Sequence, residues 1–464
     1  MPLPDKNSTA LYPRKRSIGS RRSKLAGTDR SSFALFANLI ANWSYTIAFF
    51  LVYKNYLSVE WSYALFHYRE MSFGEWSFAI LSISIASIFL PKRIDSPSSM
   101  ILWLLHSFIL VPVNIITFMI GENSPLFYIP SLIAMTFIMS LAGHLSSKRT
   151  RKQTTADIKE NDPDLKFVTA ITITFIFFSF ILYFYFQEIL TFSGIDDIYY
   201  QRFAAAEIGG GAIGYIRTHY AYVFSPALIA IGLTCKGYRP LIALGIIGGI
   251  LVYMIEASKI SLIMPVAMIV FYVLIKFRLD GSYIFTAGLT FLTVIFSFLT
   301  SQVALIKLGA DLLILRSIAI PAQTFALYAD LFTSNAYTWW SNVRGINLFV
   351  PPPPAFAADP FWPVLGQIVG AEYYGFGSRN NSNANLFVGE GVAAGGFIGV
   401  LVVGFVFLIF LETLDRSIKG WNRTFAIIAT IPLGFSLTNT HLSTLLLSFG
   451  GMFWLLLFRL YKPS

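Results

Sequence analysis

Cysteine is all but missing: Cys235 stands alone among 464 residues. That excludes a disulfide framework within the chain and a metal site built on cysteine. Histidine is equally sparse, with five in the chain and no cluster of them. Charge is scarce too. Only 12% of residues are Asp, Glu, Lys or Arg, against roughly 25% in a soluble domain. No Walker loop, dinucleotide fingerprint or HExxH motif occurs, so ATP-driven transport and metalloprotease chemistry lose their usual supports. The chain does not repeat itself either, which counts against transporters built from duplicated halves.

What is abundant is apolar sequence. Hydrophobic residues make up 55% of the chain and the mean hydropathy is +0.64. They come in runs of about 15 to 25 residues, long enough to cross a hydrocarbon core of roughly 30 Å. In lipid, only a helix or a closed barrel satisfies every backbone group, and continuous rather than alternating apolar runs select helices. The chain therefore reads as an all-α polytopic membrane protein of about twelve transmembrane helices. The expected spans are 33–53, 76–90, 100–120, 125–145, 167–188, 220–234, 240–255, 260–275, 282–301, 391–411, 424–438 and 442–458.

The net charge of +10 invites a nucleic-acid partner, but its distribution points elsewhere. Residues 1–32 are basic and polar, without the apolar core of a cleavable signal, and read as a disordered cytosolic tail. Residues 33–464 then form a single transmembrane domain. With the tail inside, Lys92–Arg93, the basic run at 148–152, Lys236, Arg239, Lys276, Arg278, Arg416, Lys419, Arg423, Arg459 and Lys462 also fall inside. Only nine of the 34 Lys and Arg residues remain outside. That is the positive-inside pattern, with both termini cytoplasmic. The basic excess is a topology signal, and no nucleic acid is expected.

Two outer segments, at about 189–219 and 302–390, are too long to be simple connections. The start of the second, from Val303 to Leu327, sets Lys307, Asp311 and Arg316 among apolar residues, the pattern of an amphipathic helix at the outer interface. Beyond residue 190 the outer arginines are Arg202, Arg217, Arg316, Arg344 and Arg379. Each offers a fixed fork of donors suited to phosphate oxygens. Tyr199, Tyr200 and His219 stand beside Arg202 and Arg217. Aromatic rings next to arginines suit a glycan, whose C–H faces stack while its hydroxyls hydrogen-bond. Tyrosines also populate membrane interfaces for no chemical reason. Glu256 and Lys259 form either a local ion pair or a polar cavity floor. The acids able to deprotonate a hydroxyl on that side are Glu207, Glu256, Asp330, Glu372 and Glu390. His441 is a further candidate at the start of the last span.

Two stretches resemble the O-antigen and exopolysaccharide repeat-unit polymerases, the Wzy-type enzymes. The first runs Arg316-Ser317-Ile318-Ala319-Ile320-Pro321 and continues through Tyr328, Asp330, Phe332 and Trp340-Ser341. The second is Asn383-Ala384-Asn385-Leu386-Phe387-Val388-Gly389-Glu390-Gly391, followed by Gly395-Gly396 and Gly399. Some polymerases of this type also carry an arginine with a glycine eleven positions later in each long loop. Here Arg202 precedes Gly214, and Arg379 precedes Gly391, by twelve. The resemblance implies a GT-C-like membrane fold in the bacterial inner membrane and glycosyl transfer at its periplasmic face. The substrates would be undecaprenyl-pyrophosphate-linked glycans, with membrane lipid and a chain-length regulator as the other partners and no metal or cofactor. It implies Arg202, Arg217, Arg316 and Arg379 around pyrophosphate and glycan, with Glu390 as general base. Asn383, Asn385, Tyr328, Tyr199, Tyr200 and His219 would bind sugar. An O-antigen ligase and a polysaccharide flippase are the alternatives.

Overall fold

The computed structural model describes residues 19–121, 127–153, 160–192, 198–279, 281–376 and 381–463. The described residues are helical apart from connections, and their only strand-like pairings are two isolated bridges, Arg93 with Gly281 and Asn161 with Trp421. Seven helices are long and apolar enough to cross a membrane: Phe33–Glu60, Pro97–Ile120, Ile129–Arg149, Leu165–Phe186, Lys259–Lys276, Ser282–Leu299 and Gly389–Ser417. Each coincides with one of the expected spans. Four others are shorter, Phe73–Phe89, Pro240–Glu256, Arg423–Leu437 and Gly451–Leu460. The remaining expected span, 220–234, is the second half of a helix over 212–234 whose first turns hold Arg217 and His219.

In chain order the helices used below are α1 (Gly19–Val52), α2 (Phe73–Phe89), α3 (Pro97–Ile120), α4 (Ile129–Gln153), α5 (Leu165–Phe186), α6 (Ile198–Ile208), α7 (212–234), α8 (Pro240–Glu256), α9 (Lys259–Lys276) and α10 (Ser282–Leu299). They continue with α11 (304–334), α12 (Leu365–Tyr374), α13 (Gly389–Ser417), α14 (Arg423–Leu437), α15 (Leu442–Leu447) and α16 (Gly451–Leu460). The first begins at Gly19, upstream of the boundary at 33 that apolar content suggests, while residues 1–18 lie outside the described residues.

Local chemistry sets several of the starts. Ser72 and Glu75 form a capping box ahead of α2, and Arg69 grips Glu75 with two nitrogens at 2.6 and 3.1 Å. Ser96 caps α3 just before Pro97, where a missing N–H costs nothing. Asp164 and Asn422 cap α5 and α14 through the N–H groups of Phe167 and Phe425.

At the centre lies α3, buried along its whole length and enclosed by α1, α2, α4, α11, α13 and α14. By contrast only 28% of the apolar stretch of α5, α9 or α10 is buried, so these helices form the periphery. The helix α11 departs from its sequence expectation. It forms, but every residue from Pro321 to Phe332 is buried against α3 and α13 rather than floating at an interface. Ala322, Ala326 and Ala329 let it approach closely, and Gln323 is satisfied by the Ala64 carbonyl at 2.5 Å.

Polar contacts sort the helix ends into two sets. At one end Ser282 N–H meets the Lys92 carbonyl, Asn422 meets Asp162, and Tyr461 meets Asp164. At the other, Lys307 pairs with Glu60, Tyr56 with Asp311, and Arg217 with Glu256. The first set lies at the end that carries the basic connections and the second at the end that carries the long loops. Asp415 locks the first end from within. Its carboxylate accepts from Ser98 N–H (3.0 Å) and Oγ (2.5 Å) and pairs with Arg149 at 2.9 Å.

Candidate functional site

On the long-loop side, α11, the residues before α13, the first turn of α13 and α15 converge on one buried polar group. Glu390, in the first turn of α13, accepts hydrogen bonds from Ser443 N–H (3.2 Å) and Oγ (2.6 Å). His441 caps the start of α15 two residues earlier, and no protein partner reaches its Nδ1. Burial pushes the His441 imidazole below its ordinary value, and the Glu390 charge opposes that shift. The Tyr328 ring lies 6.3 Å from that of His441, with its hydroxyl beside the Asn385 side chain. Asn385 is fully buried and spends its Oδ1 on the Leu386 N–H at 2.8 Å. Its Nδ2 and the Tyr328 hydroxyl face each other, and among the described residues neither has any other hydrogen-bond partner. Leaving a buried polar atom unmet costs about 1–3 kcal/mol, and such groups call for an explanation wherever they persist.

The glycines of this region explain how Glu390 is aimed. The helix α13 breaks at Gly395 and Gly396, and Gly396 takes φ +53, a conformation that side chains rarely adopt. Carbonyls freed by the break, those of Ala393 and Ala394, are taken by the N–H groups of Thr338 and Trp339. The two halves then meet backbone to backbone at Gly391 and Gly399, where a Cβ on Gly399 would fall 1.9 Å from the Gly391 carbonyl. Meanwhile Phe387 N–H donates to Leu437 and Leu442 N–H to Phe387. This ties the Asn385 segment to the connection bearing His441.

A second group lies where α6, α7 and the end of α8 meet. Arg217 binds Glu256 through Nε at 3.1 Å. Arg202 reaches the Glu256 and Ala257 carbonyls at 3.4 Å each. Gln201 pins α6 by donating to the Met254 and Thr191 carbonyls. Tyr222 lies within the field of Arg202, Arg217 and Glu256 and packs edge-on against Phe449 at 4.6 Å. Phe449 sits in the break between α15 and α16, so this contact couples the arginine group to the segment that begins at His441.

Of the residues expected from sequence, Tyr328, Asn385 and Glu390 come together, as do Arg202 and Arg217. Arg316 is exposed on the π-helical turn Asp311–Ala319. Asn383 is exposed and crowds Gly366. Tyr200 is exposed on α6. His219 is half-buried, close to the Tyr215 carbonyl (3.0 Å) and the Phe453 ring. Arg379 and the side chain of Tyr199 lie outside the described residues. Asp330, two residues from Tyr328, faces elsewhere. It accepts from Tyr373 (2.7 Å) and Tyr128 (3.3 Å) beside a cavity of about 20 Å³. Sequence reasoning gave His441 too little weight. Its only signal was a lone histidine among threonines and serines at the edge of an apolar run. No family model, no curated protein and no solved structure matches this chain.

Proposed function

We propose that the protein polymerises undecaprenyl-pyrophosphate-linked oligosaccharide repeat units at the outer face of a bacterial inner membrane. In this reading it spans the membrane twelve times with both termini in the cytosol. The observation that carries it is the carboxylate of Glu390, fixed by Ser443 and next to a half-buried histidine whose inaccessible Nδ1 has no partner among the described residues. That is the equipment for taking a proton from a hydroxyl.

In the proposed step a hydroxyl oxygen of the incoming repeat unit attacks the anomeric carbon at the reducing end of the growing chain. The new C–O bond forms as the bond to pyrophosphate breaks, and undecaprenyl pyrophosphate leaves with the electron pair. The hydroxyl proton passes to His441 Nδ1, and the Glu390 charge stabilises the imidazolium that results. Low basicity of the free imidazole keeps it unprotonated and ready at neutral pH. Arg202 and Arg217 face the charge that builds on the leaving pyrophosphate, where one well-placed donor lowers a barrier by about 3–4 kcal/mol. Tyr328 and Asn385 offer the acceptor sugar a hydroxyl and an amide donor. Arg316 and Arg379 are assigned to binding the glycan and lipid headgroup.

The test is to incubate purified protein in lipid nanodiscs with a lipid-linked repeat unit and separate the products on a gel. A ladder of longer glycans that disappears in Glu390→Gln and His441→Ala is the expected result. Transfer to a lipid A core without a ladder would replace the polymerase with a ligase. No transfer to either acceptor by a folded sample would turn attention to polysaccharide export.

A further inference from the structure

The central helix carries polar groups where lipid-embedded sequence can least tolerate them. Along α3, His106, Ser107, Asn114 and Thr117 are all buried. Among the described residues, His106 Nδ1, Ser107 Oγ, Asn114 Oδ1 and Thr117 Oγ1 have no hydrogen-bond partner, and neither has the hydroxyl of Tyr45 on the adjoining α1. Each unmet atom costs about 1–3 kcal/mol when dry. Apolar residues of the same size would remove that cost, so these groups call for a ligand.

Their arrangement is directional. At residues 106–110 α3 widens into a π-helical turn, a feature that frequently marks functional positions. Asn114 Nδ2 donates to the Leu110 carbonyl at 2.8 Å, leaving Oδ1 as its free atom. Thr117 lies one turn beyond Asn114, and Ile120 and Gly121 then line the small cavity at Asp330. Both α1 and α3 rise from the same end of the molecule, where Ser282 joins Asn38 to the Lys92 carbonyl. From the Asn42–His106 contact, Tyr45 therefore stands about 4.5 Å further toward the loop side.

The other side of His106 is closed. Its Nε2 meets Asn42 Oδ1 at 2.9 Å and Ser87 Oγ at 3.2 Å. Asn42 uses its own Nδ2 on the Asn38 carbonyl, and Ser87 donates to the Ile83 carbonyl. Both partners therefore present lone pairs, which places the proton on Nε2 and leaves Nδ1 as an acceptor.

We propose that α1 and α3 hold a file of bound water, open at the Asp330 cavity and ending on His106 Nδ1. Ser107 and Asn114 lie about 10 Å apart along the helix, so several waters in series link the groups, each satisfying a buried polar atom. The cavity of about 20 Å³ at Asp330 matches one such molecule. Because the Nε2 side is sealed, the file is an inlet from the loop side rather than a channel through the membrane. It gives a mid-membrane histidine access to protons from that side alone. The inference is independent of the glycosyl-transfer reading.

Water-edited 15N NMR on uniformly 15N-labelled protein in bilayers tests it, with His106→Gln identifying the His106 imidazole signal among the five histidines. The expected result is magnetisation passing from water to the His106 imidazole, falling at least threefold in Asn114→Leu, which fills the file with a side chain of similar size. A wild-type His106 signal that receives no more water magnetisation than the buried backbone of α14 overturns the proposal. The wild-type measurement decides the matter by itself if the leucine variant does not fold. An unchanged transfer in a folded Asn114→Leu protein would also overturn it.

Discussion

The two ends of the bundle treat buried polar groups in opposite ways. At the inner end Asp415 is buried among Ser98, Ser146 and Arg149, and both its oxygens are occupied. At the loop end Tyr328 and Asn385 are just as buried and His441 is half-buried with its Nδ1 inaccessible, yet among the described residues each keeps one polar atom with no partner outside this group. A saturated network holds helices in register, and its value lies in the damage done when one member goes. An unsaturated one costs stability every moment it stands, which makes sense where a ligand completes it. On the proposed function the contrast separates structural from functional polarity within one chain: the first is complete by itself and the second would be completed by a substrate.

Breaking the inner network should have the largest effect. Asp415→Ala leaves Ser98 N–H and Oγ without their acceptor and Arg149 with only its longer contact to Glu412 at 3.8 Å, and loss of one partner from a buried pair typically costs about 3–5 kcal/mol. Thermal unfolding in detergent should register that loss, while glycan transfer per folded molecule stays near wild type. Glu390→Gln should do the reverse. Transfer is expected to fall about 100-fold, or roughly 2.7 kcal/mol of barrier, with the unfolding temperature almost unmoved because Ser443 keeps an acceptor.

Smaller and pH-dependent is the effect of His441. Its folded pKa lies below the ordinary 6.5 because of burial. Below pH 6.5 the unfolded chain therefore binds a proton that the folded protein refuses, so stability falls with falling pH, by at most about 1.4 kcal/mol per unit. Above 6.5 both states are neutral and the effect vanishes. Chemical denaturation at pH 5.5 and 7.5 should show this slope in wild type and a shallower one in His441→Ala. Tyr328→Phe removes an unpaired hydroxyl, so stability should hold or rise slightly while KM for the acceptor increases about fivefold, near 1 kcal/mol. A fall in stability of more than 1 kcal/mol would erase the contrast drawn above. Smallest of all, Glu60→Gln breaks the exposed pair with Lys307 at 2.7 Å and should cost under about 1 kcal/mol, less still in high salt.

Much of the fold was legible because lipid imposes length and hydrophobicity on each crossing. Seven expected spans recur as long apolar helices. Where the reading fell short, the cause was tertiary. The last span is interrupted, α15 ending at Leu447 and α16 starting at Gly451 after Gly450 with φ +87. Continuous apolar composition across 442–458 conceals such a break. In the same way α11 looked amphipathic from Lys307, Asp311 and Arg316, but its later half meets polar partners inside the bundle that no local pattern reveals.

The candidate site divides along the same line. Glu390, Tyr328 and Asn385 were recognisable as residues in the outer segments, and Arg202 and Arg217 as a pair of cations in one loop. Their grouping was not recognisable, since 62 positions separate Tyr328 from Glu390 and 51 more lead to His441. The sequence by itself determined the class of molecule, an all-α polytopic membrane protein, and the stock of arginines and acids in the long loops, because hydrophobic length and charge act locally and add along the chain. Only the tertiary structure decided which of those groups meet, which are saturated and which are left open. Hydrogen bonding at 3 Å depends on how helices pack, and packing is set by contacts between residues far apart in sequence.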